Sequence, residues 1–123
     1  MNDIAEYLVL SILKVHGEPL ERRLLYRYMY EALKKAGVET SLTFYEEGYS
    51  PQLEGVIDSL ASKGLIRKIY MVGPSYTELY REYLEITESG EEALKGEFST
   101  KYLEVASAVV REAGIEASSA TGG

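Results

Sequence analysis

Tyr49–Lys68 reads YSPQLEGVIDSLASKGLIRK, and this stretch decides the fold. Ser50 brings a hydroxyl that can accept from free N–H groups, and Pro51 stands where the first turn of a helix needs no donor. A helix therefore begins at Pro51. Leu53, Val56, Ile57 and Leu60 fall at i, i+3, i+4 and i+7, a single apolar stripe at the helical period, and Gly64 supplies a left-handed stop. Leu65, Ile66, Ile69 and Met71 then continue as a short extended segment.

Upstream, Ile4, Leu8, Ile12 and Val15, with Leu10 and Leu13 beside them, make Asp3 to His16 a strongly apolar helix that Asn2 or Asp3 can cap and Gly17 can stop. Gly17, Glu18 and Pro19 form a turn, and a second helix is expected from Leu20 to Ala36, ended by Gly37. At 100° per residue, Leu24, Leu25, Tyr28, Met29, Ala32 and Ala36 gather on one side of it, and Arg23, Arg27, Tyr30 and Lys34 on the other. Leu42, Phe44 and Tyr45 suggest a short strand between Val38 and Gly48. Adjacent Glu46 and Glu47 in that turn read as solvated carboxylates, since nothing nearby completes a ligand set.

Downstream, the extended segment from Leu65 returns as Tyr76 to Thr87, with Gly73, Pro74 and Ser75 at the tip of a hairpin and Leu84 and Ile86 alternating inward. Gly96 breaks the segment that follows. Ser99 or Thr100 can cap a final helix reaching Ala113, with Gly114 as its stop. Tyr102, Leu103, Ala106, Val109, Val110 and Ala113 form its apolar stripe, which must cover its own domain or pair with a second copy. Small, polar residues 115–123 are expected to be a disordered tail.

The 123 residues amount to about one domain, with 46% apolar and 27% charged side chains. No run approaches the length of a membrane span, and the N-terminus lacks the basic-then-apolar order of a signal peptide, so a cytoplasmic protein is expected. There is no cysteine, which excludes disulfides, thiolate chemistry and cysteine-held zinc. Asn2 and Gln52 are the only side-chain amides, a composition that suits a thermophilic source. His16, the only histidine, lies in a last helical turn where a cation suits the dipole, and no partner for catalysis or a metal accompanies it. Without a phosphate-binding glycine loop, a nucleophile elbow or a His/Cys ligand set, no enzyme, cofactor or metal is expected.

Helix, glycine, Leu-Ile and strand, in that order, resemble the third helix and wing of the winged helix-turn-helix family. Tyr49-Ser50-Pro51, Gly64-Leu65-Ile66 and Ile86-Thr87-Glu88-Ser89-Gly90 carry the resemblance, which spans nearly all of residues 3 to 95. The last of these is similar to the LTxxG ending of many such regulators, where Thr caps a short helix after the wing; Ser89 with Glu92 is the alternative cap. The long connection into YSPQLEGVIDSLASKGLI is also similar to small archaeal regulators and to phage-associated antitoxin-like domains. The implied fold is α+β: residues 1–95 as a winged helix-turn-helix domain of three core helices plus a β-hairpin wing, and 96–114 as an extra C-terminal helix. In such regulators an appended helix often forms the dimer, which makes the final apolar stripe a candidate homodimer seam.

What the resemblance implies about function is binding of double-stranded DNA and transcription regulation. Arg23, Arg27 and Lys34 of the second helix, with Arg67, Lys68 and Arg81 of the wing, would meet phosphates, and Gln52, Ser59, Ser62 and Lys63 would lie on the recognition helix. Glu54 and Asp58 on that same helix oppose phosphate, and the formal charge is −7. Much of the excess acid lies C-terminal, with seven acidic and three basic groups in residues 88–123. The other expectation is thus an acidic winged-helix module that binds a protein partner with a basic surface.

Overall fold

Apolar residues on nearly every side of Asp3–His16 make this first helix, α1, the centre of the molecule. Ala5, Leu8, Val9, Leu10, Ile12 and Leu13 are all buried, and Gly17 ends the helix at φ 79°. In the computed structural model, backbone is described for residues 3–36, 50–72, 80–95 and 100–121, and side chains for 4–35, 50–71, 81–95 and 102–112. The strand expected at Leu42, Phe44 and Tyr45, the Glu46–Glu47 pair, the hairpin tip at Gly73, Pro74 and Ser75, and the breaks at Gly96 and Ser99 lie outside the described residues. So do the side chains of Tyr76, Tyr80 and Ala113.

Leu20–Glu21 forms a short strand, β1, and Arg22–Ala36 the helix α2. The helical pattern places Leu20 and Glu21 at the start of the second helix; the structure corrects this. Extended backbone drops the Leu20 side chain into the core, and its antiparallel pairing partner is the equally buried Leu84. A period read along the chain cannot register a partner so distant in sequence.

α3 runs Pro51–Ser62, with Ser50 Oγ accepting from Leu53 N at 3.4 Å as N-cap and Gly64 at φ 76° just beyond its end. Leu53, Val56, Ile57 and Leu60 are its buried face. The strands β2 (Ile66–Val72) and β3 (Tyr80–Ile86) pair antiparallel, and the sheet order is β1-β3-β2. Because directly paired residues share a face, Ile66, Leu84 and Leu20 point together toward the helices, while Arg67, Ile69, Tyr83 and Glu85 point away.

Thr87 closes the sheet onto α4 (Glu88–Ala93). Its hydroxyl accepts from Gly90 N at 3.1 Å and donates to Gly64 O at 2.6 Å, so one side chain caps α4 and fastens it to the end of α3. Ser89 is not the cap. α5 runs Thr100–Thr121, through Gly114, where a stop was expected. One glycine costs a helix only about 1 kcal/mol, and the alanines and glutamates around it favour continuation.

α5 packs on α1 and α2 within the same chain. Tyr102, Ala106 and Val109 are buried there, and the Tyr102 ring stacks on Tyr7 with centroids 6.2 Å apart and planes 4° apart. Leu103 and Val110 are partly buried against the same core. Of the two roles open to the stripe, covering its own domain is the one that Tyr102, Ala106 and Val109 fill, against α1 and α2. The architecture among the described residues is mixed α+β, five helices and a three-stranded antiparallel sheet.

Candidate functional site

The outer face of α2 carries the stripe that the sequence places there. Arg23, Arg27, Tyr30 and Lys34 are exposed, and the rise of about 1.5 Å per residue sets Arg23 and Arg27 about 6 Å apart and Lys34 about 10 Å further on. Lys34 Nζ lies 6.0 Å from the centroid of the Tyr30 ring. Arg23 is bonded to Glu21 Oε1 at 3.1 Å, but with 84% of its side chain exposed it remains open to solvent. Arg27 and Lys34 face no carboxylate among the described residues. Beside this stripe, between the start of α2 and Glu54 of α3, an open groove of about 700 Å³ has Arg22, Arg23 and Arg27 along it.

Arg22 is the residue that sequence reasoning missed. Its Nη1 donates to both carboxylate oxygens of Glu82 on β3 at 3.0 and 3.1 Å, and its Nη2 lies 3.8 Å from Glu54 Oε1 on α3. The same guanidinium lies 5.8 Å from the centroid of the Tyr26 ring. Burial works against its charge, yet the Tyr26 hydroxyl and the Glu82 carboxylate outweigh that and hold its pKa above the ordinary value. Arg22 thus ties α2, α3 and the hairpin together. Its neighbour Arg23 drew attention as part of an outward stripe, but nothing local announces a bond to Glu82.

On α3 the structure rearranges the expected set. Gly55, Asp58 and Ser62 face solvent. Ser59 and Lys63, by contrast, sit on the flank toward α1, where the Ser59 hydroxyl donates to Glu6 Oε1 at 3.4 Å and Lys63 Nζ lies 3.1 Å from the same oxygen. Ser59 and Lys63, expected among the duplex-facing residues of this helix, are thus both engaged with α1: a serine and a lysine one turn apart can reach one carboxylate of a crossing helix. Gln52 is exposed at the N-terminal end and accepts from the Ser50 hydroxyl at 3.3 Å.

The hairpin cations also have partners. Lys68 Nζ is 2.8 Å from Asp58 Oδ1, and Arg67 Nη2 is 3.2 Å from Glu85 Oε1 on the opposite face of the sheet, directly across from it in register. Arg81 is half-buried and pairs across the strands with Met71. The Asp58 carboxyl is held below its ordinary range, first by the hydrogen bond from Lys68 and then by the charge of that ammonium. Lys68 is correspondingly raised, chiefly by the bond to Asp58. Arg67 and Lys68, adjacent in sequence, thus face opposite sides of β2 and do not form one patch.

The expected cations consequently divide into four groups: the α2 stripe, Lys68 against α3, Lys63 between α3 and α1, and Arg67 with Arg81 on the other face of the hairpin. His16 closes the turn after α1, with Nδ1 2.8 Å from Glu18 O. Among the described residues no cluster of His, Asp or Glu could hold a metal ion, and no helix is long and apolar enough to cross a membrane. Comparison of the chain with protein-family models, with curated proteins and with solved structures yielded no match.

Proposed function

We propose that the protein is a winged-helix regulator that binds double-stranded DNA through the outer stripe of α2. The element order, three helices with a short strand between the first two and a closing hairpin, is compatible with that fold. The observation that carries the reading is the exposed Arg23, Arg27 and Lys34 along one side of α2, one and then two turns apart, two of them without an ion pair to a carboxylate of the described residues. Such a row follows a sugar-phosphate backbone and supplies affinity without sequence, since phosphate contacts position and base contacts specify. Gln52 and Ser62, exposed on α3 beside Gly55, are the residues this reading assigns to bases. Two copies would bind a two-fold operator, using a surface other than the buried part of the α5 stripe.

The test is fluorescence anisotropy of labelled duplex, from the upstream region of its own gene and of random sequence, at several salt concentrations. Affinity should fall linearly with salt on logarithmic axes. Arg27→Glu should weaken binding to every duplex alike and reduce the slope by about one. Binding that ignores this substitution removes α2 from the interface, and absence of binding at low salt overturns the DNA reading.

A second reading is favoured by a different observation: α3 bears the exposed Asp58 with Glu54 one turn away, and Lys63, Lys68 and Arg22 are each held by carboxylates of the same chain. In that reading the module binds a protein with a basic surface. A lysine-rich peptide that binds where duplex DNA does not would establish it.

A further inference from the structure

Two carboxylates stand one turn apart along α3, on the side that faces the hairpin, and each meets a cation brought by another element. Asp58 receives Lys68 of β2 at 2.8 Å, and Glu54 lies 3.8 Å from Arg22 of α2. Glu54 is the lesser of the two, because Arg22 has its closer partner in Glu82. Asp58 is different. It is exposed, with 65% of its side chain open to solvent, whereas Lys68 retains only 28%, so the ammonium is laid down on the carboxylate at the surface of the helix.

A carboxylate oxygen at this distance offers an ammonium what a phosphate oxygen offers: a charged acceptor at short range. From this pair we infer that Asp58 is a built-in phosphate mimic that keeps Lys68 from binding duplex of arbitrary sequence, and so acts as a specificity determinant. The inference rests on the DNA reading of the previous section. Nonspecific affinity comes almost wholly from the number of phosphates neutralised, so a lysine withheld on an internal carboxylate lowers it without removing a base contact. A duplex that fits the α3 face closely can exchange Asp58 for a phosphate at Lys68. One that approaches through the α2 stripe alone cannot. Awkward as an acid on the outward face of α3 is for the DNA reading, this gives it a use.

The experiment measures binding of random duplex at several salt concentrations by wild type, Asp58→Asn, Asp58→Asn with Lys68→Gln, and Glu104→Gln. Glu104 is exposed on α5, outside every pair discussed, and controls for the change in net charge. Asp58→Asn should tighten binding about three- to tenfold and steepen the logarithmic salt slope by about one, the signature of one further phosphate neutralised. The double variant should lose that gain and Glu104→Gln should show none. Tighter binding with an unchanged slope, an equal gain from Glu104→Gln, or a gain that survives Lys68→Gln would each overturn the mimic, leaving a plain charge effect. Wild type that binds and weakens with Arg27→Glu, while Asp58→Asn changes nothing, refutes the inference and leaves the DNA reading standing. Failure of all these proteins to bind at low salt removes both. Melting temperatures measured alongside check folding, and Asp58→Ser serves if the amide disturbs it.

Discussion

Gly90 of α4 lies directly against the backbone carbonyl of Leu65, at the junction where α3 passes into β2. A Cβ added at Gly90 would overlap the Leu65 oxygen and Cγ1 of Ile86. Thr87 N also donates to that oxygen, at 3.1 Å, so the carbonyl is held from a second side and has little freedom to yield. The close approach explains why this helical position carries no side chain.

Gly90→Ala is therefore expected to destabilise by about 2–4 kcal/mol, in spite of alanine's better helix propensity, because the obstacle is backbone rather than the end of a flexible side chain. Urea denaturation against wild type measures it. Unchanged stability would mean that α4 can lift off the α3–β2 junction without loss.

Ser11 sits fully buried in α1, and its hydroxyl has no hydrogen-bond partner among the described residues. A buried hydroxyl left unpaired loses its hydration without return, at about 1–3 kcal/mol. Ser11→Ala should leave stability unchanged or raise it by up to about 1 kcal/mol, once the small lost volume is set against the relieved desolvation. A drop of more than about 1 kcal/mol in urea unfolding would show that the hydroxyl is satisfied in solution.

Arg22 and Glu82 are both largely shielded and joined by two hydrogen bonds that one guanidinium nitrogen donates to the carboxylate, with side-chain exposures of 22% and 19%. A double-mutant cycle with Arg22→Gln and Glu82→Gln should return a coupling of about 1–2 kcal/mol, above the range for exposed pairs. Arg23 and Glu21, much more exposed at the arginine, should show less than half of that. Equal couplings would mean that solvent screens Arg22 as fully as Arg23.

The Asp58–Lys68 pair sets a pH signature. Asp58 is held below its ordinary pKa, so its share of stability is present above the unfolded value and lost as pH falls through the folded one. Lys68 is raised, so its share is present below the unfolded value and lost as pH climbs through the folded one. The melting-temperature difference between wild type and Asp58→Asn should stay flat from about pH 5 to pH 9 and vanish in acid, below the ordinary carboxylate value of about 3.9. A difference that varies across the neutral range would assign the effect to another group.

Much of the local structure was legible in the residues themselves. Ser50, Pro51 and Gly64 punctuate α3, the four apolar residues between them face the core, and Thr87 caps α4, because capping and helical periodicity depend on neighbours a turn away. The exposed stripe of Arg23, Arg27, Tyr30 and Lys34 was readable for the same reason. Leu20 was misread as helical, since its reason for being extended is Leu84, across the sheet and far along the chain.

Pairing and coverage were left to the tertiary structure. The final helix offers an apolar stripe that suits a second copy as well as the chain's own α1 and α2; in three dimensions Tyr102, Ala106 and Val109 of that stripe are buried against α1 and α2, with Tyr102 stacked on Tyr7. The charges behaved alike: Arg22, Lys63 and Lys68 are ordinary surface cations in the sequence, and become Glu82, Glu6 and Asp58 contacts when α2, α1, α3 and the hairpin are brought together. The sequence by itself determined where helices begin, end and turn their apolar sides, because those forces act within a turn. Which cations stay free for a partner was decided only in three dimensions, because a charge is neutralised by whatever lies beside it in space.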